Sequence, residues 1–188
     1  WGQGHFIALT NDFDSTVNRI YFKTADGTSW GENFVPLDLS ACTQLIFGNN
    51  RFVAVDETTD KVFYNVRNGK DTWVEVPGAL PSAGNYIIGY GQGIFLAFEK
   101  NGSNVAWSED AITWYSETTP QRNYTSINFG NPNNEGKFLV TSSGNPLSGS
   151  GSNTLDIIKK GKGAFAFMEV SNGRAGSFTI LDPGSGYT

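Results

Sequence analysis

The chain of 188 residues has a single cysteine, Cys42, so no intrachain disulfide and no cysteine-based zinc site can form. Cys42 reads as a small buried hydrophobe. Histidine is equally scarce: His5 stands alone in "GHFIAL", the start of a strand, which excludes multi-histidine metal sites. No metal or other cofactor is expected from such a donor set. Charged residues are few at 16%, and the net charge of −5 lacks the basic footprint that nucleic-acid binding needs. The local exception, Lys159, Lys160 and Lys162 around Gly161, reads as a solvated loop or strand edge. No run of about 18 apolar residues occurs, so no membrane-spanning helix is predicted. No stretch carries a convincing helical period. An initiating Met and a basic-then-apolar leader are missing, and the sequence starts and stops inside patterned segments. A piece of a longer polypeptide is therefore expected.

What the chain has in quantity is glycine, at 23 positions, together with 14% aromatics and many Thr, Ser and Asn. That mixture favours short strands joined by tight turns. The strands repeat. "GQGHFIAL" (Gly2 to Leu9), "GNNRFVAV" (Gly48 to Val55), "GQGIFLAF" (Gly91 to Phe98) and "NEGKFLVT" (Asn134 to Thr141) share a polar, glycine-containing turn, then Phe, then alternating small and apolar residues. Phe6, Phe52, Phe95 and Phe138 are spaced by 46, 43 and 43 positions, and Trp30, Trp73 and Trp114 by 43 and 41. Two independent markers keep one period, which makes chance a poor explanation.

Within each unit a second strand follows a polar loop ("NRIYFKT", "KVFYNV", "NVAWSE"). Then come a turn with a terminal tryptophan and a closing segment with an aromatic before glycine ("CTQLIFG", "NYIIGYG", "YTSINFG"). About four short strands in a unit of about 43 residues predict an all-β fold of β-propeller blades, each sheet stacked face to face on its neighbours. Three full repeats and the start of a fourth are expected over residues 1–145. A Gly/Ser-rich linker is expected over 146–158, where "GNPLSGSGSNT" breaks the period. Residues 159–188 then read as the start of a small β-rich module, with a hairpin at Asn172-Gly173 and a turn at Pro183-Gly184.

"TADGTSW" (Thr24 to Trp30) and "SEDAITW" (Ser108 to Trp114) resemble the Asp-box, or BNR repeat, of bacterial and viral β-propellers. In that family the Asp accepts hydrogen bonds from the loop backbone, Gly takes a positive φ and Trp packs into the blade. The resemblance implies structural roles for Asp26, Gly27 and Trp30, for Ser108, Asp110 and Trp114, and for Trp73 in the middle copy, "RNGKDTW". The middle copy places Gly69 and Asp71 differently, and the last has Ala111 where glycine is expected. Sialidases carry this box, but none of Arg19, Arg51, Arg67, Arg122 and Arg174 stands in the Arg-Ile-Pro context of that family. Catalysis by this segment is not expected.

"GKGAFAFMEVSNGRAGSFTILDPGSGYT" is similar to a pattern in structural proteins of tailed bacteriophages, marine and cyanobacterial ones especially, where an alternating-strand segment leads into "PGSGYT". The two resemblances together imply a structural or adhesive virion component in a tail, baseplate or fibre. Its partners would be other virion proteins and a host-surface glycan, within an oligomeric assembly. The alternative is a secreted or periplasmic Asp-box propeller: glycan-binding, sialidase-like or an assembly factor. Of the aromatics outside the boxes, Tyr115 and Tyr124 are the exposed candidates, each read as covering a blade edge.

Overall fold

The computed structural model describes residues 6–10, 19–23, 30–34, 42–56, 58–65, 73–119, 121–130, 136–143, 153–158, 164–171 and 174–183. Among them the regular elements are all strands. β1 (Phe6–Thr10), β2 (Arg19–Lys23) and β3 (Trp30–Phe34) make the first sheet. β4 (Cys42–Gly48), β5 (Arg51–Asp56), β6 (Val62–Asn65) and β7 (Val74–Val76) make the second. The third holds β8 (Tyr86–Gly91), β9 (Ile94–Glu99), β10 (Asn104–Ser108) and β11 (Tyr115–Thr118). The fourth holds β12 (Asn123–Gly130), β13 (Lys137–Ser143), β14 (Asn153–Ile158), β15 (Ala164–Ser171) and β16 (Arg174–Pro183). Every sheet is an antiparallel meander in chain order, and the architecture is that of a propeller.

From the second onward, the sheets begin one strand earlier than the sequence units do. Asn49 and Asn50 have φ of 46° and 57°, and Gln92 and Gly93 have 47° and 80°. Two successive left-handed residues make the primed two-residue turn whose twist matches a hairpin. These turns pair Gly48 with Arg51 and Gly91 with Ile94. The aromatic-glycine segment expected to close one unit is therefore the first strand of the next sheet. Its aromatic then faces the repeated Phe across the ladder. Phe47 with Phe52, Tyr90 with Phe95 and Phe129 with Phe138 have ring centroids 4.7, 4.7 and 5.1 Å apart.

The middle sheets are buried on both faces, which is why their strands read as nearly unbroken apolar runs. On β9, Phe95 and Ala97 pack with Val53, Val55 and Val62 of the second sheet. Ile94, Leu96 and Phe98 pack on the other side with Tyr124, Phe138 and Val140 of the fourth. On β5, Phe52 and Ala54 join Trp73 and reach Ile7 of the first sheet. Full burial of one such side chain is worth about 1.5–3 kcal/mol, so these layers dominate stability.

The layers close through glycine. A methyl group on Gly48 would collide with the Tyr90 ring, and one on Gly91 with the Phe129 ring. One on Gly89 would lie 2.8 Å from Ile127 Cγ1. β4 and β8 thus each receive the aromatic ring of the next sheet's first strand on bare backbone. Only a residue without Cβ permits this approach.

The expected linker over 146–158 and the separate module over 159–188 need correction. Asn153–Ile158 is a strand, with Leu139 opposite Asp156 and Ile157 opposite Phe167. β15 and β16 extend the same sheet, so residue 145 marks no boundary in it. The reason is pairing: "NTLDII" carries β-branched and apolar residues, and the edges of β13 and β15 take it up as a strand between them. Residues 144–152 and the lysine cluster at 159–162 lie outside the described residues.

Gly91→Ala should lower stability to urea by about 1–3 kcal/mol, the usual cost of overpacking. Adding Phe129→Leu should cost less in that background than in the wild type, because the ring causes the clash. Strict additivity of the two changes would contradict the packing.

Candidate functional site

The described copy of the repeated turn joins β10 to β11, and its polar side chains serve their own loop. Ser108 is buried, and its Oγ accepts hydrogen bonds from the N–H groups of Ala111 at 2.8 Å and Asp110 at 3.3 Å. Its hydroxyl donates to Asp110 Oδ1 at 3.1 Å. The same Oδ1 accepts from the N–H groups of Ile112 at 2.8 Å and Thr113 at 2.7 Å. Ala111 holds φ at 62°, in the place where a glycine was expected, with its methyl fully buried against the second sheet. Trp114 Nε1–H donates to the Ala111 carbonyl at 3.2 Å. Burial pushes the Asp110 carboxyl up, but the donors from Thr113, Ile112 and Ser108, with the charge of Arg51, hold its pKa below the ordinary value.

Trp30 opens β3 opposite Lys23, and Asp26 and Gly27 lie outside the described residues. Trp73 is buried between the first and second sheets, whereas Trp114 packs between the second and third. The recurring residues are thus distributed through successive layers and do not converge on one site. The same acidic device also appears where the sequence reading had seen only a polar loop. Asp56 Oδ1 accepts from the N–H groups of Thr58 at 2.7 Å and Thr59 at 3.2 Å, and from the Thr58 hydroxyl at 2.9 Å. Burial raises its pKa, and those donors outweigh it to leave the net shift downward. The signal available for it was the Asp-x-Thr-Thr spacing, which fits an Asx turn.

Beside this hairpin lies a cleft of about 320 Å³ lined by Trp107, Glu109, Asp110, Thr113 and Tyr115. Trp107 and Tyr115, opposite each other across β10 and β11, stack with centroids 4.5 Å apart and planes inclined by 26°. Trp107 is only 8% exposed, whereas Tyr115 is 51% exposed. Asn49 Nδ2 donates to the Glu109 carbonyl at 2.7 Å, tying the first turn of the second sheet to the rim of the cleft. Tyr124, the other aromatic singled out, is buried at 1% exposure with its hydroxyl 3.0 Å from Thr119 Oγ1. Its apolar neighbours Phe98 and Phe138 make it core. Among the described residues no group of three or more His, Cys, Asp or Glu comes together to hold a metal ion, and no helix is long and apolar enough to cross a membrane.

No protein-family model matches the sequence, and no curated protein matches it. Chains of solved structures do match. One is described as "Streptogramin B lyase structure": it has 16% identity and a TM-score of 0.54, and the match covers 96% of this chain and 69% of that one. That neighbour is a β-propeller, and at this identity the likeness speaks for the fold alone. It also corrects the expectation that no catalysis occurs here. The same architecture carries a lyase, so neither the blades nor the missing arginine context is ground for excluding an enzyme.

Asp110→Ala leaves two loop N–H groups without their acceptor and should cost about 1–2 kcal/mol in chemical denaturation. The carboxylate's folded pKa lies below its ordinary 3.8, so its stabilisation is complete above that value and fades as pH falls through the folded pKa. The stability gap between wild type and Asp110→Ala should therefore narrow on acidification below pH 3.8. A gap that widens would contradict the sign.

Proposed function

We propose that this propeller belongs to a structural or adhesive component of a tailed-bacteriophage virion, in a tail, baseplate or fibre, and acts through protein–protein or host-surface contacts. The observation that carries the reading is the alternating β15 and β16 strands, the second ending at Pro183, with "PGSGYT" at that end, a pattern that resembles phage structural proteins. The hairpin from Ser108 to Trp114 supports the finer assignment of the recurring turn as an Asp-box. There an acidic side chain caps loop N–H groups, a left-handed residue follows it, and a tryptophan packs inward. Because Ser108 and Asp110 Oδ1 are occupied with their own loop, contacts with other molecules fall chiefly to residues that do not recur. The outer strand β11 offers such a surface: all four of its residues, Tyr115 to Thr118, are exposed at the edge of the third sheet.

Purified phage particles from the source culture, banded by density and probed with an antibody against this chain, test the reading. The chain should band with infectious particles, and immunogold should label the tail end. Recovery of the chain solely from the particle-free supernatant or the periplasmic fraction would overturn it.

A further inference from the structure

The repeat itself marks one residue as surplus to the fold. On the second strand of each sequence unit an aromatic recurs at one register: Phe22, Tyr64 and Trp107. Its partner across the ladder drifts, from Gly31 to Val74 to Tyr115. A blade therefore closes with glycine or valine at that position, and stacking does not require a ring there. Tyr115 nonetheless stacks on Trp107 with half of its own surface in water.

We propose that the cleft formed by Tyr115, Trp107, Glu109, Asp110 and Thr113 is a binding site for a neutral saccharide. The proposal deepens the contact-making reading above, on which it rests for the source of the sugar, a host-surface glycan. One face of Tyr115 is backed by Trp107, which holds the ring as a rigid platform at little entropic cost. The apolar C–H face of a pyranose matches such a ring, and its hydroxyls need acceptors and donors around the edge. The Glu109 carboxylate and the second Asp110 oxygen, Oδ2, supply acceptors and Thr113 a hydroxyl, and about 320 Å³ lies at the lower end of the range for small-ligand sites.

The charge pattern selects among ligands. Two carboxylates at the rim disfavour sialylated or uronic sugars. An organic cation is served less well than two carboxylates imply. Asp110 Oδ1 already takes three hydrogen bonds, and Arg51 bears electrostatically on that carboxylate from the neighbouring sheet. Trp107, the better ring for a cation, is covered by Tyr115.

A printed array of neutral and sialylated oligosaccharides, probed with the labelled full chain, tests the site. Hits are titrated in solution by tryptophan fluorescence, with tetramethylammonium titrated in parallel. Saturable binding to neutral glycans is expected, weakened at least about tenfold in Tyr115→Ala, as for a buried aromatic anchor, and retained in Tyr115→Phe. Val74→Ala, at the matching register of the second sheet, should bind as the wild type does. If Tyr115→Ala fails to fold, Glu109→Gln serves, with several-fold weaker binding expected. The proposal is overturned by any of four results: no glycan hits, binding to sialylated glycans alone, saturation by tetramethylammonium alone, or neutral-glycan binding indifferent to Tyr115→Ala or, where that variant does not fold, to Glu109→Gln. Because free glycans report on the cleft without a particle, such a result leaves banding with virions intact. Glycan binding by a chain that never bands with particles would overturn the virion reading alone.

Discussion

An aromatic ring laid on a bare glycine joins the second sheet to the third and the third to the fourth, and the packing of these sheets depends on that approach. Tyr90 covers Gly48 and Phe129 covers Gly91, one such contact at each of these two interfaces. Because the first strands come this close, β5 and β9 are covered on both sides and can carry apolar residues at consecutive positions. Each ring also faces the repeated Phe of its own sheet, so one aromatic serves the ladder and the interface together. This explains why aromatic-glycine pairs persist at Phe47-Gly48, Tyr90-Gly91 and Phe129-Gly130 while neighbouring positions vary.

The repeat, its length and its strand content were legible because burial on two faces constrains the same positions in every sheet. Its phase was not. A periodic sequence has no intrinsic starting point, and only the left-handed pairs Asn49-Asn50 and Gln92-Gly93 reveal where hairpins close. The fourth sheet was misread for a different reason. Glycine and serine around residue 150 dominate the local composition, and the short run from Asn153 to Ile158 gains its meaning only by pairing with β13 and β15. Composition reports local preference, while strand pairing is decided by a partner distant in sequence.

The candidate site was legible only in part. Ser108, Asp110 and Trp114 were readable as a turn because capping chemistry is local, and Ala111 taking the left-handed position shows how far tertiary packing overrides preference. Tyr115 looked like edge cover and Tyr124 like its equal. Burial separates them, one half exposed over a cleft and the other inside the core. The useful signal lay in the departure from the repeat rather than in the repeat. A position that tolerates Gly31 and Val74 but holds Tyr115 is free of the fold's demands. The likeness to a solved propeller is a likeness of blades, and a shared architecture does not fix use.

Proton NMR of the Gly48 and Gly91 α-protons tests the central claim most directly. With the Tyr90 and Phe129 rings lying on these glycines, the α-protons should be displaced far upfield by the ring currents. They should also show strong Overhauser contacts to the aromatic protons of the next sheet. Glycine α-protons at ordinary shifts, without contacts to those rings, would contradict the stacked architecture and the reading of Tyr115 that follows from it.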